Sequence, residues 1–378
     1  MVIIGSGPAG VGAAEAFRQH DTDSPVRIMT NDPDHPYARP PLSKEFLRGD
    51  TNDVELHPAE WFADRSIEIH RGEVTAIDVV DHAVLLNGER LAYGALVLAC
   101  GAEPSPLPVP GGERALNLRS LTDARRLRQA ATGARSAVVV GAGFIGCEAA
   151  ASLAMRGIDV TLVAPEQQPQ EKRLGADVGR RIRDLVEQSG ARYVAGASVK
   201  EIREGAVELD GGRTIGCDIV LAATGVTPRI DLARAAELDL EQSRIAVDAH
   251  LRTSADDIYA AGDVAFAVNT DAGRRIAIEH WQDAADQGAA AGTGAAGQPA
   301  NWHGAPGFWT SIGNATLKYH AWGDGFTHSR VIDHDNGFTV WYQRHGVAVG
   351  VLTHNADPDY DLGEQLIVAG KPAPVPMG

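Results

Sequence analysis

Short apolar runs, each leading through a glycine-rich turn into a stretch of small residues, recur along the chain. Residues 2–4 precede one such turn at Gly5, and residues 136–140 precede another at Gly141. A buried strand that passes through a glycine turn into a helix is typical of a parallel α/β sheet. Further apolar runs predict buried strands at residues 26–29, 95–99, 160–163, 219–222 and 258–261. The pattern therefore predicts an α/β fold.

The two glycine turns carry the same G-x-G-x-x-G spacing. The first contains Gly5, Gly7 and Gly10, and the second contains Gly141, Gly143 and Gly146. The first Gly makes a tight turn, the second lets the backbone approach a pyrophosphate, and the third lets helix and strand pack closely. Asp32 and Glu166 follow about 20 residues later, where a carboxylate can bind an adenosine ribose. The sequence therefore predicts two Rossmann-like dinucleotide-binding domains.

Breaks in the pattern predict the domain boundaries. Prolines at positions 104, 106, 108 and 110 suggest a crossover that ends near residue 115, and the Gly/Ala-rich stretch 288–300 has the composition of a helix end and linker. Alternating apolar and polar residues after 303 predict a small, mainly antiparallel α+β domain. We expect a discontinuous first domain at 1–115 and 244–302, a second at 116–243 and a C-terminal domain at 303–378. The Pro-rich segment 370–378 is either a flexible tail or a cover over the cofactor.

Composition excludes several classes of function. The net charge of −16 leaves no basic stripe for nucleic acid. No apolar run reaches the ~18 residues of a membrane span, and the N-terminal segment lacks the basic start of a signal peptide, so we expect a cytoplasmic protein. The scattered histidines have no metal-site spacing, and no metal is predicted. The cysteines Cys100, Cys147 and Cys217 form no C-x-x-C pair, so redox chemistry must come from a cofactor.

Several motifs resemble those of one flavoprotein group, the FAD-dependent pyridine nucleotide oxidoreductases of the ferredoxin reductase and apoptosis-inducing factor type. This group includes the putidaredoxin and rubredoxin reductases. The resemblance lies in both fingerprints and in residues 36–44, 223–225, 261–263, 279–284 and 308–310, and it extends from residue 2 to about 355. Two positions depart from the pattern, because Asn31 replaces an acid and Cys100 replaces a threonine. Ribose binding at the first site then depends on Asp32 alone.

The resemblance implies two sets of cofactor-binding residues. The FAD site would use Gly5, Ser6, Gly7, Pro8, Gly10, Asp32, Arg39, Lys44, Val74, Arg119, Gly262 and Asp263, with Trp281 and Trp309 beside the flavin. The nicotinamide dinucleotide site would use Gly141, Gly143, Phe144, Ile145, Gly146, Glu166, Gly225 and Glu279. Glu166 would bind the 2′-hydroxyl of NADH and repel the 2′-phosphate of NADPH. The neighbouring Lys172 and Arg173 are evidence for NADPH instead, since they could bind that phosphate.

The resemblance also implies an electron-transfer mechanism. Flavin N5 would take hydride from NADH, and Lys44 and Glu148 would form an ion pair beside the reactive edge of the ring, where Lys44 stabilises developing negative charge. The alternative for both residues is an ordinary surface position.

The sequence leaves three functions, of which we expect the first and rank the others after it in order. The first is NADH-dependent reduction of an iron-sulfur carrier such as a ferredoxin or rubredoxin. The second is reduction of a small molecule such as a quinone or oxygen, and the third is a redox-responsive binding protein resembling apoptosis-inducing factor. An acidic carrier would need a local basic patch, for which Arg39, Lys44 and Arg48 are candidates if exposed. The sequence does not decide the acceptor, the pathway or whether a homodimer forms.

Overall fold

A parallel sheet of five strands forms the first part of the molecule, for which a computed structural model describes residues 1–374. The strands of residues 1–104 are β1 (Val2–Ile4), β2 (Val26–Thr30), β3 (Ile67–Arg71), β4 (Val74–Asp78), β5 (Ala83–Leu86), β6 (Glu89–Ala92), β7 (Leu96–Leu98) and β8 (Ala102–Pro104). The helices there are α1 (Pro8–His20), α2 (Glu45–Arg48) and α3 (Ala59–Asp64), with a 3-10 turn at Pro40–Ser43. β4, β5 and β6 form a separate antiparallel sheet.

The second part repeats the parallel arrangement. Its elements are α4 (Leu121–Ala130), β9 (Ser136–Val140), α5 (Phe144–Met155), β10 (Asp159–Val163), α6 (Glu171–Leu174), α7 (Ala176–Gln188), β11 (Arg192–Val194), β12 (Val199–Arg203), β13 (Ala206–Leu209), β14 (Thr214–Gly216), β15 (Ile219–Ala222), β16 (Val226–Pro228) and α8 (Asp231–Ala235). Strands β11, β10, β9 and β15 pair in that order, all parallel. The strands of this sheet are buried and rich in Val, as a sheet covered on both faces requires.

The chain then returns to the first sheet. The elements of this return are β17 (Leu240–Glu241), β18 (Arg244–Val247), β19 (Ile258–Ala260), β20 (Ala265–Asn269), β21 (Arg274–Ala277) and α9 (Trp281–Ala295). β19 pairs in parallel with β7, so the first sheet has the order β19-β7-β1-β2-β3. Residues far apart in sequence thus build one sheet. The boundaries at 115, 243 and 302 stay predictions.

An antiparallel sheet forms the C-terminal part. Its strands are β22 (Gly307–Ile312), β23 (Ala315–Ala321), β24 (His328–His334), β25 (Gly337–Arg344) and β26 (Val347–His354), and α10 (Asp357–Val368) follows them. The order is β22-β23-β26-β25-β24, and the largest buried side chain is Trp341. The fold class predicted from sequence, two parallel α/β units with a small α+β unit, is confirmed.

Close packing of α1 against α9 corrects the interpretation of segment 288–300. A Cβ atom on Gly288 would lie 2.1 Å from the carbonyl oxygen of Ala9, and one on Gly292 would lie 2.1 Å from that of Ala13. These glycines let two helix backbones approach each other. The stretch is helix as far as Ala295 and a turn with irregular backbone over 296–300, so the helix ends later than composition suggests. In the Pro-rich segment, Ala373 is buried and Lys371 O accepts a hydrogen bond from Ala348 N. Residues 375–378 of that segment lie outside the described part.

Candidate functional site

The first glycine loop joins β1 to α1 in a geometry that only glycine permits. Gly5 has φ +115°, and a Cβ atom there would lie 2.2 Å from the carbonyl oxygen of Ala99. A Cβ atom on Gly10 would lie 1.9 Å from the carbonyl oxygen of Gly5. Gly7 caps the N-terminus of α1, Pro8 follows at the first helical position, and no acid lies in the first turn. The loop therefore presents backbone N–H groups that suit a pyrophosphate.

Polar groups at the end of β2 surround the predicted ribose-binding carboxylate. Tyr37 Oη donates to Asp32 Oδ2 at 2.7 Å, and Asp34 N donates to Asp32 Oδ1 at 3.1 Å. Ser6 Oγ lies 2.9 Å from Thr30 Oγ1, which fixes the loop against the strand. Asp32 remains partly accessible and close to the loop, as a ribose contact requires.

Two guanidinium groups face one carboxylate beside the first glycine loop. Arg119 NH2 donates to Asp263 Oδ2 at 2.5 Å. Arg39 lies 3.8 Å from the Cβ position of Gly7, and both burial and the Arg119 charge lower the pKa of Arg39. The excess of positive charge suits a bound anion, as the pyrophosphate of FAD would supply.

A buried amide gives a second sign that a group belongs here. Gln287 Oε1 accepts from Gly262 N at 2.9 Å, whereas the buried Gln287 Nε2 has no partner within the protein. Since unpartnered buried donors are rare, a polar group of a ligand fits this position. The residues present therefore fit FAD.

Three further residues predicted for the FAD site are Val74, Trp281 and Gly262, and they offer fewer side-chain contacts to a ligand. Val74 is buried in the first core, so only its backbone is available to a ligand. Trp281 starts α9 and is partly buried. Gly262 has φ +81°, which places its N–H toward Gln287.

The predicted ion pair between Lys44 and Glu148 is present, and both side chains are buried. Lys44 Nζ lies 2.9 Å from Glu148 Oε2 and donates to Pro40 O at 2.9 Å. Ser43 Oγ donates to Glu148 Oε2 at 2.5 Å, and Thr310 Oγ1 donates to Glu148 Oε1 at 2.6 Å. The surface alternative for both residues is wrong. Three parts of the chain converge here, and the sequence did not assign roles to Ser43 and Thr310.

The second glycine loop repeats the first between β9 and α5. Gly141 has φ +102°, and its Cβ atom would lie 2.4 Å from Ala223 O, while one on Gly146 would lie 1.9 Å from Gly141 O. Gly143 caps α5. Gly225, at φ +104°, faces open space. The loop is therefore shaped for a second pyrophosphate.

Lys172 and Arg173, the two basic residues that could favour NADPH, point to different places in the structure. Lys172 Nζ lies 3.8 Å from Glu166 Oε1, but the Lys172 side chain is 88% exposed. Arg173 turns away, and its NH2 lies 3.3 Å from His280 Nε2. Of these two residues, Lys172 alone therefore remains near the predicted 2′-hydroxyl position.

Aromatic side chains from three parts of the chain meet at the start of α5. Phe144 packs against Phe308 with ring centroids 4.8 Å apart, and His280 stacks on Phe308 at 4.4 Å. Tyr319 lies 5.5 Å from Phe308. Sequence reasoning assigned Phe144 alone, because its neighbours come from segments over 130 residues away. His280 and Phe308 lie in segments that carry the family resemblance, 279–284 and 308–310, but nothing in the sequence gave either residue a role of its own.

The remaining predicted contacts are exposed. The side chains of Ile145 and Trp309 are 47% and 44% exposed. Glu279 Oε1 accepts from Arg244 NH2 at 2.7 Å. Exposed apolar residues beside a glycine loop are available to a ligand that binds reversibly.

The structure removes two of the three candidates for a basic docking patch. Lys44 is buried, and Arg48 pairs with Glu45 at 3.4 Å and with Asp50 at 2.7 Å. Arg39 is partly buried beside the first loop. Of the three candidates only Arg39 remains, so a docking patch for an acidic carrier would need further basic residues from other segments.

The three cysteines are free thiols. Burial raises the pKa of Cys100 to about 11, and burial together with the Glu148 charge raises that of Cys147 further. Thiols in this state are poor nucleophiles. Within residues 1–374, no group of His, Cys, Asp or Glu is arranged to bind a metal, and no helix there is long and apolar enough to cross a membrane.

Comparisons with known proteins agree with this geometry. A sequence model of the family described as "Pyridine nucleotide-disulphide oxidoreductase" matches residues 1–288. The ferredoxin–NAD(+) reductase component of an anthranilate 1,2-dioxygenase system from Burkholderia cepacia is 32% identical, covering 98% of this chain and 94% of that protein. A crystal structure of a ferredoxin reductase from Rhodopseudomonas palustris aligns with a TM-score of 0.93 at 30% identity, covering 98% of this chain and 95% of that one.

A second group of relatives is longer than this chain. Apoptosis-inducing factor 3 of Homo sapiens is 30% identical over 98% of this chain, and the chain spans 63% of that protein's length. Both halves of the resemblance drawn from the motifs, to ferredoxin reductases and to apoptosis-inducing factor, are thereby confirmed.

Proposed function

The chain belongs to the pyridine nucleotide-disulphide oxidoreductase family, and we propose that it is an FAD-dependent NADH oxidoreductase that passes electrons to a ferredoxin-type iron-sulfur carrier. The observation that carries this proposal is the buried Lys44–Glu148 pair, in a chain whose three cysteines are free and offer no dithiol for disulfide chemistry. The ferredoxin reductases to which the chain is similar support the choice of carrier.

The residues around the pair hold a positive charge in a fixed place. Bound FAD would supply hydride acceptance and the release of single electrons. Lys44 offers a buried ammonium whose position is fixed by Glu148 and by Pro40 O. Two hydroxyl donors satisfy Glu148, so the carboxylate neutralises Lys44 without leaving its own oxygens unpaired. A cation fixed in a dry site stabilises negative charge that develops close to it.

We infer that NADH is the electron donor. The side chain of Glu166 is partly exposed at the end of β10, where a 2′-phosphate would meet its negative charge. Arg173 makes its contact with His280 and is not directed at that position. A single exposed lysine is weak support for NADPH. We place the protein in the cytoplasm, where NADH and free cysteines are expected.

The second candidate function is the reduction of a small molecule such as a quinone. The burial of Lys44 and the ion pairing of Arg48 favour it, since they remove the basic patch that an acidic carrier would use. A quinone needs no such patch.

Steady-state turnover with NADH and a panel of acceptors tests the proposal. The panel contains several ferredoxins, a rubredoxin, a soluble quinone and oxygen, each assayed at low and moderate salt. We expect one iron-sulfur carrier to exceed the quinone in kcat/KM by more than about tenfold, as a specific docking site would give. A quinone that outperforms every carrier would support the second candidate and overturn the first. Slow turnover with every acceptor would favour the redox-responsive binding protein.

A further inference from the structure

The guanidinium of Arg173 lies over the aromatic cluster at the start of α5. Its carbon is 5.2 Å from the ring centroid of Phe308, 5.6 Å from that of Tyr319 and 5.9 Å from that of Phe144. Its NH2 atom lies 3.3 Å from His280 Nε2. Arg173 comes from α6 in the second part of the chain, whereas its partners come from three other segments. One cation therefore joins the second nucleotide unit to both of its neighbours.

The cluster lies between the second glycine loop and the Lys44–Glu148 pair. α5 meets β22 at two adjacent contacts, the ring pair Phe144–Phe308 and the hydrogen bond Thr310–Glu148. Phe144 and Glu148 are four residues apart on one helix face, and Phe308 and Thr310 are two apart on one strand face. Phe144 also directly follows Gly143 of the loop. A nicotinamide ring bound through this loop must approach the cluster to reach the ion pair.

The two oxidation states of nicotinamide differ in charge. The ring of NAD⁺ is a planar cation, and the ring of NADH is neutral. We propose that Arg173 sets the relative affinity of the site for the two forms, because its positive charge disfavours NAD⁺ and leaves NADH little affected. The inference rests on the proposed function, and it identifies Arg173 as a residue that promotes product release.

The state of His280 supports this inference. Burial and the neighbouring Arg173 charge lower the pKa of His280 to about 3, so the cluster already disfavours a second cation. The guanidinium also covers the faces of Phe308 and Tyr319, which would otherwise attract a cationic ring. Both effects act in the same direction and oppose NAD⁺.

Binding measurements on the oxidised holoprotein test the inference without turnover. NAD⁺ and tetrahydro-NAD, a neutral analogue that cannot donate hydride, are titrated separately and followed by calorimetry. We expect the wild type to bind the neutral analogue more tightly. In Arg173→Met, NAD⁺ should gain affinity so that the ratio of the two dissociation constants falls about tenfold, a modest value because Arg173 is exposed and solvent screens its charge.

Three further variants separate charge from shape. Lys172→Met removes the adjacent cation on the same short helix and should leave the ratio unchanged, since Lys172 lies beside Glu166. Arg173→Lys retains the charge and should retain most of the ratio. Arg173→Gln removes the charge with a smaller change in polarity, and it replaces the Met variant if that one loses flavin.

Two results would overturn the inference. An equal loss of affinity for both ligands in Arg173→Met and Arg173→Gln would make Arg173 a simple binding residue. An unchanged ratio would remove any role in discrimination. Reduction of the wild-type flavin by NADH is recorded separately, so failure of the proposed function is distinguished from failure of this inference.

Discussion

The two glycine loops have nearly the same backbone geometry and very different surroundings. The Cβ positions of Gly10 and Gly146 both lie 1.9 Å from a carbonyl oxygen of their own loop. The first loop is covered by Arg39 and the Arg119–Asp263 pair, and by the tight α1–α9 contact. The second is bordered by the exposed Ile145. We propose that each loop creates a pyrophosphate site and that its surroundings decide whether the ligand stays bound or exchanges.

Substituting alanine for the third glycine of each loop should give the largest effects and tests whether the two loops have different roles. Gly10→Ala forces a Cβ into backbone, and we expect a colourless protein that has lost its flavin. Gly146→Ala should remain yellow but resist reduction by NADH, because its clash lies in the exchange site. The absorbance ratio of flavin to protein and the bleaching by NADH measure both effects. Gly94→Ala faces open space and serves as the neutral control. Loss of flavin from Gly146→Ala would contradict the separation of roles.

Removal of the buried cation should affect chemistry more than cofactor retention. We expect Lys44→Met to retain flavin and to slow its reduction by NADH about 100-fold, a loss of about 3 kcal/mol of transition-state stabilisation. The variant leaves Glu148 without its ion-pair partner, so it should also be less stable than the wild type.

Two control variants separate the effect of Lys44 on the rate from its effect on stability. Lys44→Met combined with Glu148→Gln should recover stability without recovering the rate. Arg48→Met removes a cation of the same segment that pairs at the surface, and it should reduce normally. Stopped-flow traces in which Lys44→Met reduces as fast as the wild type would refute the role of Lys44.

A buried acid in the first turn of α9 makes the stability of the flavin side depend on pH. Burial, then the neighbouring Asp286, raises the pKa of Asp283 to about 8, although Gly307 N donates to its Oδ2 at 3.3 Å. The folded state therefore holds a proton that the unfolded chain releases near pH 4. This stabilisation is full below pH 4 and is lost as the pH rises toward 8, by at most about 1.4 kcal/mol per pH unit.

Asp283→Asn should remove that dependence. Relative to the wild type, the variant should gain stability between pH 5 and pH 8, as measured by the urea midpoint of flavin release. Asp286→Asn, an exposed neighbour, should retain a falling curve. Parallel curves for wild type and Asp283→Asn would show that Asp283 does not carry the effect.

The smallest expected effect concerns the choice of donor at the second loop. Glu166→Gln removes the charge that opposes a 2′-phosphate, and the preference for NADH over NADPH should fall about tenfold in kcat/KM. Lys172→Met should not raise the use of NADPH. If Glu166→Gln leaves the preference for NADH over NADPH unchanged, another residue distinguishes the 2′-hydroxyl from the 2′-phosphate.

The glycine loops could be predicted from local sequence patterns. Most contacts between the loops could not, because they join residues far apart in the sequence. Gly5 and Gly141 could be located because a strand, a turn and a helix lie together in sequence. Lys44 and Glu148 lie 104 residues apart in the sequence, and only the family resemblance joined them. Arg173 was weighed as a phosphate ligand because its sequence neighbour is Lys172, whereas its contacts are aromatic rings from other segments.

The helix at 281–295 shows a different reason for failure. Its many glycines lower helix propensity, so composition indicates a helix end and linker from residue 288, whereas the helix continues to Ala295. The contact with α1 needs those glycines, since side chains at Gly288 and Gly292 would clash with the partner backbone. Tertiary packing outweighs propensity there, and a single sequence does not reveal the partner.

The most direct test of the contrast between the two loops is an anaerobic titration of the desalted protein with NADH, following cofactor content and the flavin spectrum together. We predict about one FAD and no nicotinamide dinucleotide per chain after desalting, with full bleaching after about one equivalent of NADH, since one hydride carries both electrons. Retention of a nicotinamide dinucleotide through desalting, or a flavin that NADH does not bleach, would contradict a resident ligand at the first loop and an exchanging one at the second.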